Sequence, residues 1–340
     1  MEKVLITGIT GQDGAFLAKK LIEKKYKVYG TIRRGGSPKT QRLAKLNIIK
    51  DINFVTMEIT EFANVFSVLK KIKPDYIYNL AAQSFVADSF VHPIITSNIN
   101  FTGIQNILEA IRILELDCNL YQASTSEMYG DIIENPQNES TPFNPISPYA
   151  ISKLAAHFTV KNYRESFDIK CSSGILFNHE SEFRGTEFVT RKISLWLSQY
   201  HKGLWGPIPL GNLDSKRDWG YAPEFVDSMI KICESEIKKE YVVATNTQAS
   251  IRDFLMWSCE YLDYKIEFIG KDLEEKCINK KNGKTIAYVD KRYFRKKDVV
   301  SLKGDYSLIK NDLNWHPNTL AKEIAFIMME NDIKNKWDAS

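Results

Sequence analysis

The first half of the chain alternates short apolar segments with longer segments whose apolar residues recur at helical spacing. The apolar runs predict strands at Val4–Thr7, Lys27–Ile32, Asn53–Met57, Tyr76–Leu80 and Asn119–Ala123. The helical spacing predicts helices at Ala15–Lys25, Val65–Ile72 and Thr102–Leu114. Strands that alternate with such helices indicate an α/β fold, in which a doubly wound parallel sheet binds ligands at the carboxyl ends of its strands.

Beyond Asn178 the pattern changes, because charged and aromatic residues mix and loops such as Gly203–Pro209 interrupt the apolar segments. We therefore predict two domains. The first covers residues 1–177, with a return segment near 213–245 that rejoins the sheet. The second is a smaller substrate-binding domain made of residues 178–212 and 246–340.

Composition narrows the function without naming it. The 340 residues are 44% hydrophobic, which is enough for two domains with cores of their own. The 46 basic and 42 acidic residues give a net charge of +4, and they are spread along the chain, so we expect no nucleic-acid partner. No apolar stretch approaches the ~18–20 residues that a bilayer crossing needs, so we expect no membrane partner.

Cysteine usage points to a reducing compartment. The five cysteines are Cys118, Cys171, Cys233, Cys259 and Cys277. They are far apart, odd in number and without a CxxC pair, which disfavours both a zinc site and disulfides, and we expect no metal. The chain also runs from Met1 directly into a predicted strand without a charged leader. We expect a cytoplasmic protein.

A glycine-rich segment, Thr7–Gly14, joins the first predicted strand to the first predicted helix. Gly8 permits a tight turn, Gly11 lets the backbone approach a phosphate, and Gly14 lets the helix pack closely on the sheet. The helix N-terminus then offers N–H groups to an anion. The segment predicts a dinucleotide site made by Gly8, Thr10, Gly11, Gln12, Asp13 and Gly14.

The end of the second predicted strand indicates which dinucleotide binds. A site that prefers NAD usually carries an acid here, roughly 20 residues beyond the glycines, to hold the ribose 2′-hydroxyl. This chain has Arg33 and Arg34 instead. Two guanidinium groups suit a 2′-phosphate, so we predict NADP.

Tyr149 and Lys153 form a Tyr-x-x-x-Lys pair, which a helix places on one face. A nearby ammonium favours the phenolate, so that Tyr149 can act as a base. The segment Ser124–Glu127 follows the fifth predicted strand, where a hydroxyl can hold a substrate alcohol beside Tyr149. The carboxylate of Glu127 suggests a second proton abstraction, which a dehydration requires.

Together these motifs resemble the extended short-chain dehydrogenase/reductase superfamily, which implies a Rossmann-type sheet with a smaller C-terminal substrate-binding domain. Longer segments are similar to the GDP-mannose 4,6-dehydratase family. They are Gly8–Gly14, Gln122–Gly130, Gly174–Ser181, Phe188–Ile193 and Gly211–Gly220.

This resemblance implies a hydro-lyase that converts a GDP-sugar to its 4-keto-6-deoxy form. Thr125, Glu127, Tyr149 and Lys153 would be the catalytic set. Tyr149 would take the proton of the C4 hydroxyl, which Thr125 positions, while the C4 hydride passes to NADP. Glu127 would then take the C5 proton, water would leave from C6, and the hydride would return to C6.

The resemblance also implies binding residues and an assembly. Besides the glycine segment, Tyr149 and Lys153, the cofactor contacts would be Arg33, Arg34, Glu58, Ile59, Leu80, Ala82, Gln83, Ser84, His179 and Arg184. The GDP-sugar contacts would be Ser84, Thr125, Ser126, Glu127, Asn178, Val189, Lys192, Arg217, Arg295 and Asp298. A diphosphate needs cations from several directions, which the Arg and Lys residues supply. The loop Arg33–Arg42 resembles the family segment that reaches a neighbouring subunit's cofactor, which implies a homotetramer.

The chain departs from the family pattern at four places. They are Phe85 in place of His, Glu58-Ile59 in place of Asp-Leu, Ser181–Arg184 without the usual Pro-Arg pair, and Arg295–Val299 in place of Arg-Pro-Thr-Glu-Val. The catalytic residues are unchanged. Phe85 and Glu182-Phe183 would reshape the sugar pocket, so GDP-manno-heptose is an alternative substrate to GDP-mannose.

Two other functions compete with this prediction. An epimerase or a reductase could use the same fold, but Glu127 argues against both. A protein that senses NADP without catalysis could dispense with Tyr149 and Lys153, so their presence argues against that function.

Overall fold

The computed structural model describes residues 1–35, 39–132, 134–294 and 302–335. The strands in these residues are β1 (Lys3–Thr7), β2 (Lys27–Ile32), β3 (Asn53–Thr56), β4 (Tyr76–Asn79), β5 (Asn119–Thr125), β6 (Cys171–Leu176), β7 (Asn178–Glu180), β8 (Ile208–Leu210), β9 (Lys216–Arg217), β10 (Trp219–Tyr221), β11 (Glu240–Val243), β12 (Ala249–Ser250), β13 (Ile266–Ile269), β14 (Lys276–Asn279) and β15 (Thr285–Val289).

The α-helices in the same residues are α1 (Gln12–Glu23), α2 (Gln41–Lys45), α3 (Phe62–Ile72), α4 (Val86–Val91), α5 (Pro93–Ser97), α6 (Gly103–Ile113), α7 (Pro148–Phe167), α8 (Val189–His201), α9 (Ala222–Glu234), α10 (Ile251–Tyr261), α11 (Ser307–Leu313) and α12 (Ala321–Lys334). Three short 3₁₀ turns and one π-helical turn complete them: Ile49–Asp51, Ser126–Tyr129 and Asp272–Glu274, and the π turn Asn98–Thr102. None of the described helices combines the length and the apolar character that a bilayer crossing needs.

Two compact units divide the chain. The first contains the described parts of Met1–Phe177, Ala222–Val243 and Gly304–His316, and the second those of Asn178–Tyr221, Ala244–Lys303 and Pro317–Ser340. The sequence predicts that a segment near 213–245 returns to the first domain, and in the structure this segment is Ala222–Val243. A second segment, Gly304–His316, also returns to the first unit, and the sequence did not predict it. Within that unit the Trp315 indole donates to the Glu224 carbonyl oxygen at 3.0 Å.

The central sheet belongs to the first unit. Its seven strands are all parallel, in the order β11-β6-β5-β4-β1-β2-β3. The direction of winding reverses between β1 and β4, where a doubly wound sheet has its ligand crevice at the carboxyl ends of the strands. The predicted doubly wound fold is therefore confirmed, while the alternating pattern did not include β6 and β11.

One face of this sheet is covered by α3, α6 and α7. Leu5, Ile77, Leu120 and Cys171 of the sheet are buried in one apolar cluster with residues of those helices: Val65, Leu69, Ile104, Ile107, Leu108, Ala156 and Val160. Apolar burial of this kind is the main stabilising contribution to the unit. It also fixes how α7, which carries Tyr149 and Lys153, lies on β5 and β6.

Element boundaries differ from the predicted ones in ways that matter for the site. Helix α1 begins at Gln12, so Gln12–Gly14 form its first turn, and it ends where Lys25 takes a φ of 69°. Strand β5 extends to Thr125, because its ladder with β6 continues through Ser124 and Thr125. Those two residues end the strand and do not follow it.

The second unit has its own core. A four-stranded sheet, in the order β13-β14-β15-β8, packs with α8, α10 and α12 around buried residues that include Phe254, Ile286 and Met328. Arg191 of α8 pairs with the buried carboxylate of Asp332 on α12, which also accepts a hydrogen bond from Ser194 at 2.8 Å. This pairing ties the last described helix to the unit.

Candidate active site

The turn between β1 and α1 makes the close backbone contacts that a pyrophosphate site needs. Gly8 has a φ of 71°, and a Cβ added there would lie 2.9 Å from the Ala81 nitrogen. A Cβ on Gly14 would lie 2.4 Å from the Gly8 carbonyl oxygen. Gly11 is the N-cap of α1 and no side chain caps that helix end. Gly8 and Gly14 leave no room for a side chain, and the helix start suits an anion.

The loop after β4 is held against this turn. The backbone N–H groups of Leu80 and Ala81 both donate to the Thr7 hydroxyl, each at 3.0 Å. The start of this loop is therefore fixed to the end of β1, just before the glycine turn. The loop carries the predicted cofactor contacts Leu80, Ala82, Gln83 and Ser84. Glu58 and Ile59 follow β3 at the same edge of the sheet.

Helix α7 brings Tyr149 and Lys153 to the end of β5. Ser147 caps the helix through a hydrogen bond from the Ala150 N–H at 3.1 Å, and Pro148 is its first residue. The Lys153 ammonium donates to the Ala123 carbonyl oxygen at 2.7 Å. Burial lowers the pKa of Lys153 to about 8. Tyr149 lies one turn earlier and is also buried.

Thr125, Ser126 and Glu127 form the turn that leaves β5. The Thr125 hydroxyl accepts a hydrogen bond from the Glu127 N–H at 3.2 Å, which starts the 3₁₀ turn. Thr125 and Ser126 are buried and Glu127 is partly exposed. Because Lys153 binds the carbonyl of Ala123, two residues before Thr125, the structure brings the four predicted catalytic residues to one strand end.

Sequence spacing does not identify Asn100 as a residue near the site, and it identifies Arg42 only as the end of the loop Arg33–Arg42. Asn100 is buried in the π turn and clamps Gln83, accepting from its N–H at 2.9 Å and donating to its carbonyl at 3.1 Å. It also donates to the Ser152 hydroxyl at 3.0 Å. Arg42 donates to the Thr10 carbonyl at 3.1 Å, beside the glycine turn. A π turn often marks a functional site, but sequence spacing does not reveal one.

The remaining predicted binding residues of the first unit are Arg33 and Arg34. Both are exposed just beyond the end of β2. Strand β2 pairs with β1, so the two guanidinium groups follow the strand next to the glycine turn. Arg295 and Asp298 lie outside the described residues.

The second unit carries the other predicted contacts on β7, α8 and β9. Glu180 is buried, accepts from the Thr190 hydroxyl, and lies 3.2 Å from Nε of Arg184. The Lys192 ammonium donates to the Pro209 carbonyl at 2.6 Å and lies 3.6 Å from the centre of the Tyr293 ring. Burial lowers the pKa of Lys192 to about 8. Asn178 and His179 are on β7, Val189 begins α8, and Arg217 ends β9.

Residues 5–328 match the protein-family model described as GDP-mannose 4,6 dehydratase. The chain belongs to that family. It is 41% identical to the GDP-mannose 4,6-dehydratase of Vibrio cholerae, over 98% of this chain and 94% of that protein. It is 43% identical to the Sinorhizobium fredii enzyme of the same name, over 97% of this chain and 96% of that one.

Solved structures give the same fold. The dTDP-glucose 4,6-dehydratase of Bacillus anthracis in complex with NAD superposes with a TM-score of 0.81, at 18% identity, over 98% of this chain and 97% of that one. Membership of the GDP-mannose 4,6-dehydratase family makes this chain a hydro-lyase. The predicted family is confirmed, and the two competing functions lose their support.

Proposed function

We propose that the protein dehydrates GDP-mannose to the GDP-4-keto-6-deoxy sugar, with Thr125, Glu127, Tyr149 and Lys153 as catalytic residues. The observation that supports it most directly is the hydrogen bond from Lys153 to the Ala123 carbonyl, at 2.7 Å. It holds the ammonium of α7 at the end of β5, two residues before the hydroxyl of Thr125 and four before the carboxylate of Glu127. A dehydration of this kind needs a phenolic base, a hydroxyl and a carboxylate at one point.

Each residue has a distinct role. Tyr149 takes the proton from the C4 hydroxyl, and the Lys153 ammonium stabilises the phenolate that does so. Thr125 holds that hydroxyl in line. Glu127 takes the proton from C5, which a ketone at C4 has made acidic, and passes it to the C6 hydroxyl, which departs as water. C6 then receives the hydride that C4 lost, and C5 receives a proton. General-base catalysis of this kind contributes on the order of 10²–10⁴ in rate.

NADP is the dinucleotide that we propose for the site. The glycine turn fits a pyrophosphate, because a Cβ on Gly8 or Gly14 would meet backbone atoms at under 3 Å. Gly8–Gly14 would hold the phosphates, Lys153 and Tyr149 the nicotinamide end, and Arg33 and Arg34 the 2′-phosphate. When bound, NADP would supply the oxidising equivalent that makes the C4 ketone and would recover it in the same turnover. Arg33→Ala together with Arg34→Ala should weaken NADP binding and leave NAD binding nearly unchanged.

We propose that the diphosphate and the base of the substrate bind to the second unit through Asn178, Val189, Lys192 and Arg217. His179 and Arg184 of the same unit would contact the cofactor. The second unit carries cations at Arg184, at Lys192 of α8 and at Arg217 of β9. The Lys192 ammonium is held by the Pro209 carbonyl and the Arg184 guanidinium by Glu180. Several cations are what a diphosphate requires.

A panel of nucleotide sugars tests this proposal. The purified protein, incubated with GDP-mannose, GDP-manno-heptose, UDP-glucose or dTDP-glucose without added cofactor, should convert GDP-mannose with loss of water, measured by mass spectrometry. The exposed ring of Phe85 is the observation that keeps the heptose in the panel. Phe183 is buried within the second unit and offers no support for it. Turnover of none of the four sugars would contradict the proposal.

We also propose that the protein is a cytoplasmic homotetramer. Six large apolar side chains are exposed on α4, α5 and α7, which pack side by side: Phe90, Val91, Ile94, Ile95, Ile151 and Phe158. Exposed apolar residues grouped in this way are typical of interaction surfaces. The free thiols of all five cysteines support a reducing compartment.

A further inference from the structure

Four buried polar side chains form a row across the central sheet. The register of the parallel strands pairs Thr7 with Asn79, Asn79 with Gln122, and Gln122 with Ser173. Residues two positions apart on a strand share a face. The row therefore lies on the face that α3, α6 and α7 cover, one level beyond the apolar row Leu5, Ile77, Leu120 and Cys171.

Hydrogen bonds connect three members of this row to Lys153. The Thr7 hydroxyl donates to Asn79 Oδ1 at 2.7 Å, and Asn79 Nδ2 donates to Gln122 Oε1 at 2.7 Å. Gln122 Nε2 donates to the Ala123 carbonyl oxygen at 3.0 Å. That oxygen is the one that accepts from the Lys153 ammonium. A continuous chain thus runs from the strand before the glycine turn to the lysine of α7.

The last link has a chemical consequence. The Ala123 carbonyl has two lone pairs, and Gln122 and Lys153 bind it together. A second donor reduces the negative charge that the oxygen offers to the ammonium. The two amides are nearly inaccessible, at 2% for Asn79 and 1% for Gln122, so water does not substitute for them.

We propose that Asn79 and Gln122 are positioning residues for Lys153, which fix the Ala123 carbonyl and limit how tightly it holds the ammonium. This inference deepens the proposed function, since it rests on Lys153 acting beside Tyr149. Thr7 extends the same chain to the loop that carries Leu80 and Ala81. Hydrogen bonds across the sheet therefore link the position of the loop after β4 to the position of Lys153.

The Ala123 carbonyl accepts a hydrogen bond from the buried Lys153 ammonium. Tyr149 and His157 lie one turn before and after it on α7, and Glu127 lies in the turn beyond β5. Burial is the influence that shifts the pKa of Lys153. On the neighbouring helices, Asp88 of α4 accepts a hydrogen bond from the Gln83 side-chain amide at 2.9 Å, and Glu109 of α6 pairs with Arg112.

Replacement of Gln122 tests the proposal. Gln122→Met keeps the size but frees the carbonyl, so Lys153 should keep its proton to higher pH. Activity should fall roughly 10-fold or more, because a misplacement of about 1 Å can cost on the order of 100-fold, while the KM for GDP-mannose stays within about 2-fold. The alkaline limb of the kcat profile should move to higher pH. Gln122→Glu, which adds a carboxylate near the ammonium, should move it further.

Ser173→Ala is the matched control. Ser173 belongs to the same row and is fully buried, but its hydroxyl has no hydrogen-bond partner within the described part of the chain. Its replacement should leave the pH profile unchanged. Thermal midpoints and the content of bound NADP, measured for every variant, separate misfolding from mispositioning. If Gln122→Met does not fold, Gln122→Glu carries the test.

A second readout does not depend on turnover. Ultraviolet difference titration, with Tyr149→Phe as the blank in each background, should show the Tyr149 phenolate forming at lower pH in Gln122→Met than in the unmodified protein. Folded Gln122 variants that lose activity but keep both the alkaline limb and the phenolate titration would overturn the inference. Failure of the unmodified protein on every nucleotide sugar would instead overturn the proposed function, and the phenolate titration would still decide the role of Gln122.

Discussion

In the proposed function, the reaction type depends on Glu127. It is the second residue of the Ser126–Tyr129 turn after β5, and its N–H donates to the Thr125 hydroxyl at 3.2 Å. An epimerase needs only the phenolic base, whereas loss of water also requires a base for C5. The carboxylate at this position therefore distinguishes two reactions that share one fold.

Glu127→Gln should abolish dehydration while partial oxidation at C4 persists. The amide keeps the size and the turn but cannot take a proton, so product should form on the order of 10²–10⁴ times more slowly. Product is measured by mass spectrometry, and reduced cofactor by its absorbance. Glu115→Gln, at an exposed position before β5 and so at the opposite end of the strand, is the control and should behave as the unmodified protein. Normal product formation by Glu127→Gln would rule out this role.

At the scale of one residue, sequence spacing carries much of the information. A Tyr-x-x-x-Lys pair is local, so a helix alone brings its members together, and the glycines mark their turn by themselves. The contacts of Asn79 are different. Its partners Thr7 and Gln122 lie 72 and 43 residues away, and only the strand register joins them. The row of polar residues could not be predicted for this reason.

Helix α1 is placed by glycines that exclude any side chain. Gly14→Ala would put a methyl group 2.4 Å from the Gly8 carbonyl oxygen, which forces the turn to move. The variant should lose copurified NADP and about 1–3 kcal/mol of stability, as overpacked sites do. Cofactor content and chemical denaturation measure the two effects. Gly206→Ala, where a Cβ meets nothing within 4 Å, should retain both. Full NADP content in Gly14→Ala would show that the turn is not the phosphate site.

Helix α7 is also joined to β5 by a buried histidine. His157 Nδ1 lies 2.9 Å from the Ser124 hydroxyl, and the Phe143 and Phe158 rings surround the imidazole. Burial lowers the pKa of His157 to about 4. The neutral form is therefore favoured in the folded state, so its contribution to stability is present above pH ~6.5 and is lost as pH falls toward 4.

We expect that pH dependence to disappear in His157→Gln. A pKa of about 4 in the folded state, against the ordinary value of 6.5, corresponds to roughly 3 kcal/mol, which the unmodified protein should lose between pH 6.5 and 4 in addition to its other titrations. Urea denaturation over that range measures it. The exposed His316 offers a control, since His316→Gln should keep the original slope. A slope that His157→Gln does not reduce would show that the buried imidazole is not responsible.

Element ends were the least predictable feature at this scale. The pattern ended the fifth strand at Ala123, but the ladder with β6 carries it to Thr125. It began the helix that follows β4 at Thr102, whereas a π turn at Asn98–Thr102 precedes α6. Both differences depend on contacts with distant segments, which the local pattern does not contain.

For the whole molecule, the alternating pattern of the first half was enough to predict five of the seven strands of the central sheet, without β6 and β11. It was not enough to predict Gly304–His316, whose return to the first unit depends on Trp315 packing against Phe225. Contacts between segments 90 residues apart leave no periodic signal. Sequence likeness to a family, and not spacing, was what connected the second unit to nucleotide-sugar chemistry.

The proposed assembly makes a prediction at this scale. Ile94 is 74% exposed and Phe158 is 50% exposed on adjacent helices, so Ile94→Asp with Phe158→Ser should disrupt a subunit interface there. Sedimentation velocity should show a smaller species than the unmodified protein gives. Leu204→Asp, at an exposed apolar residue of the second unit, is the control. An unchanged assembly in the double variant would place the interface elsewhere.

The central claim is that one sugar is oxidised and reduced within a single turnover. GDP-mannose labelled with deuterium at C4 tests it most directly, with the position of the label in the product read by NMR. The deuterium should appear at C6 of the 4-keto-6-deoxy product, without added cofactor. Deuterium that is lost to solvent, or that remains on the cofactor, would contradict it.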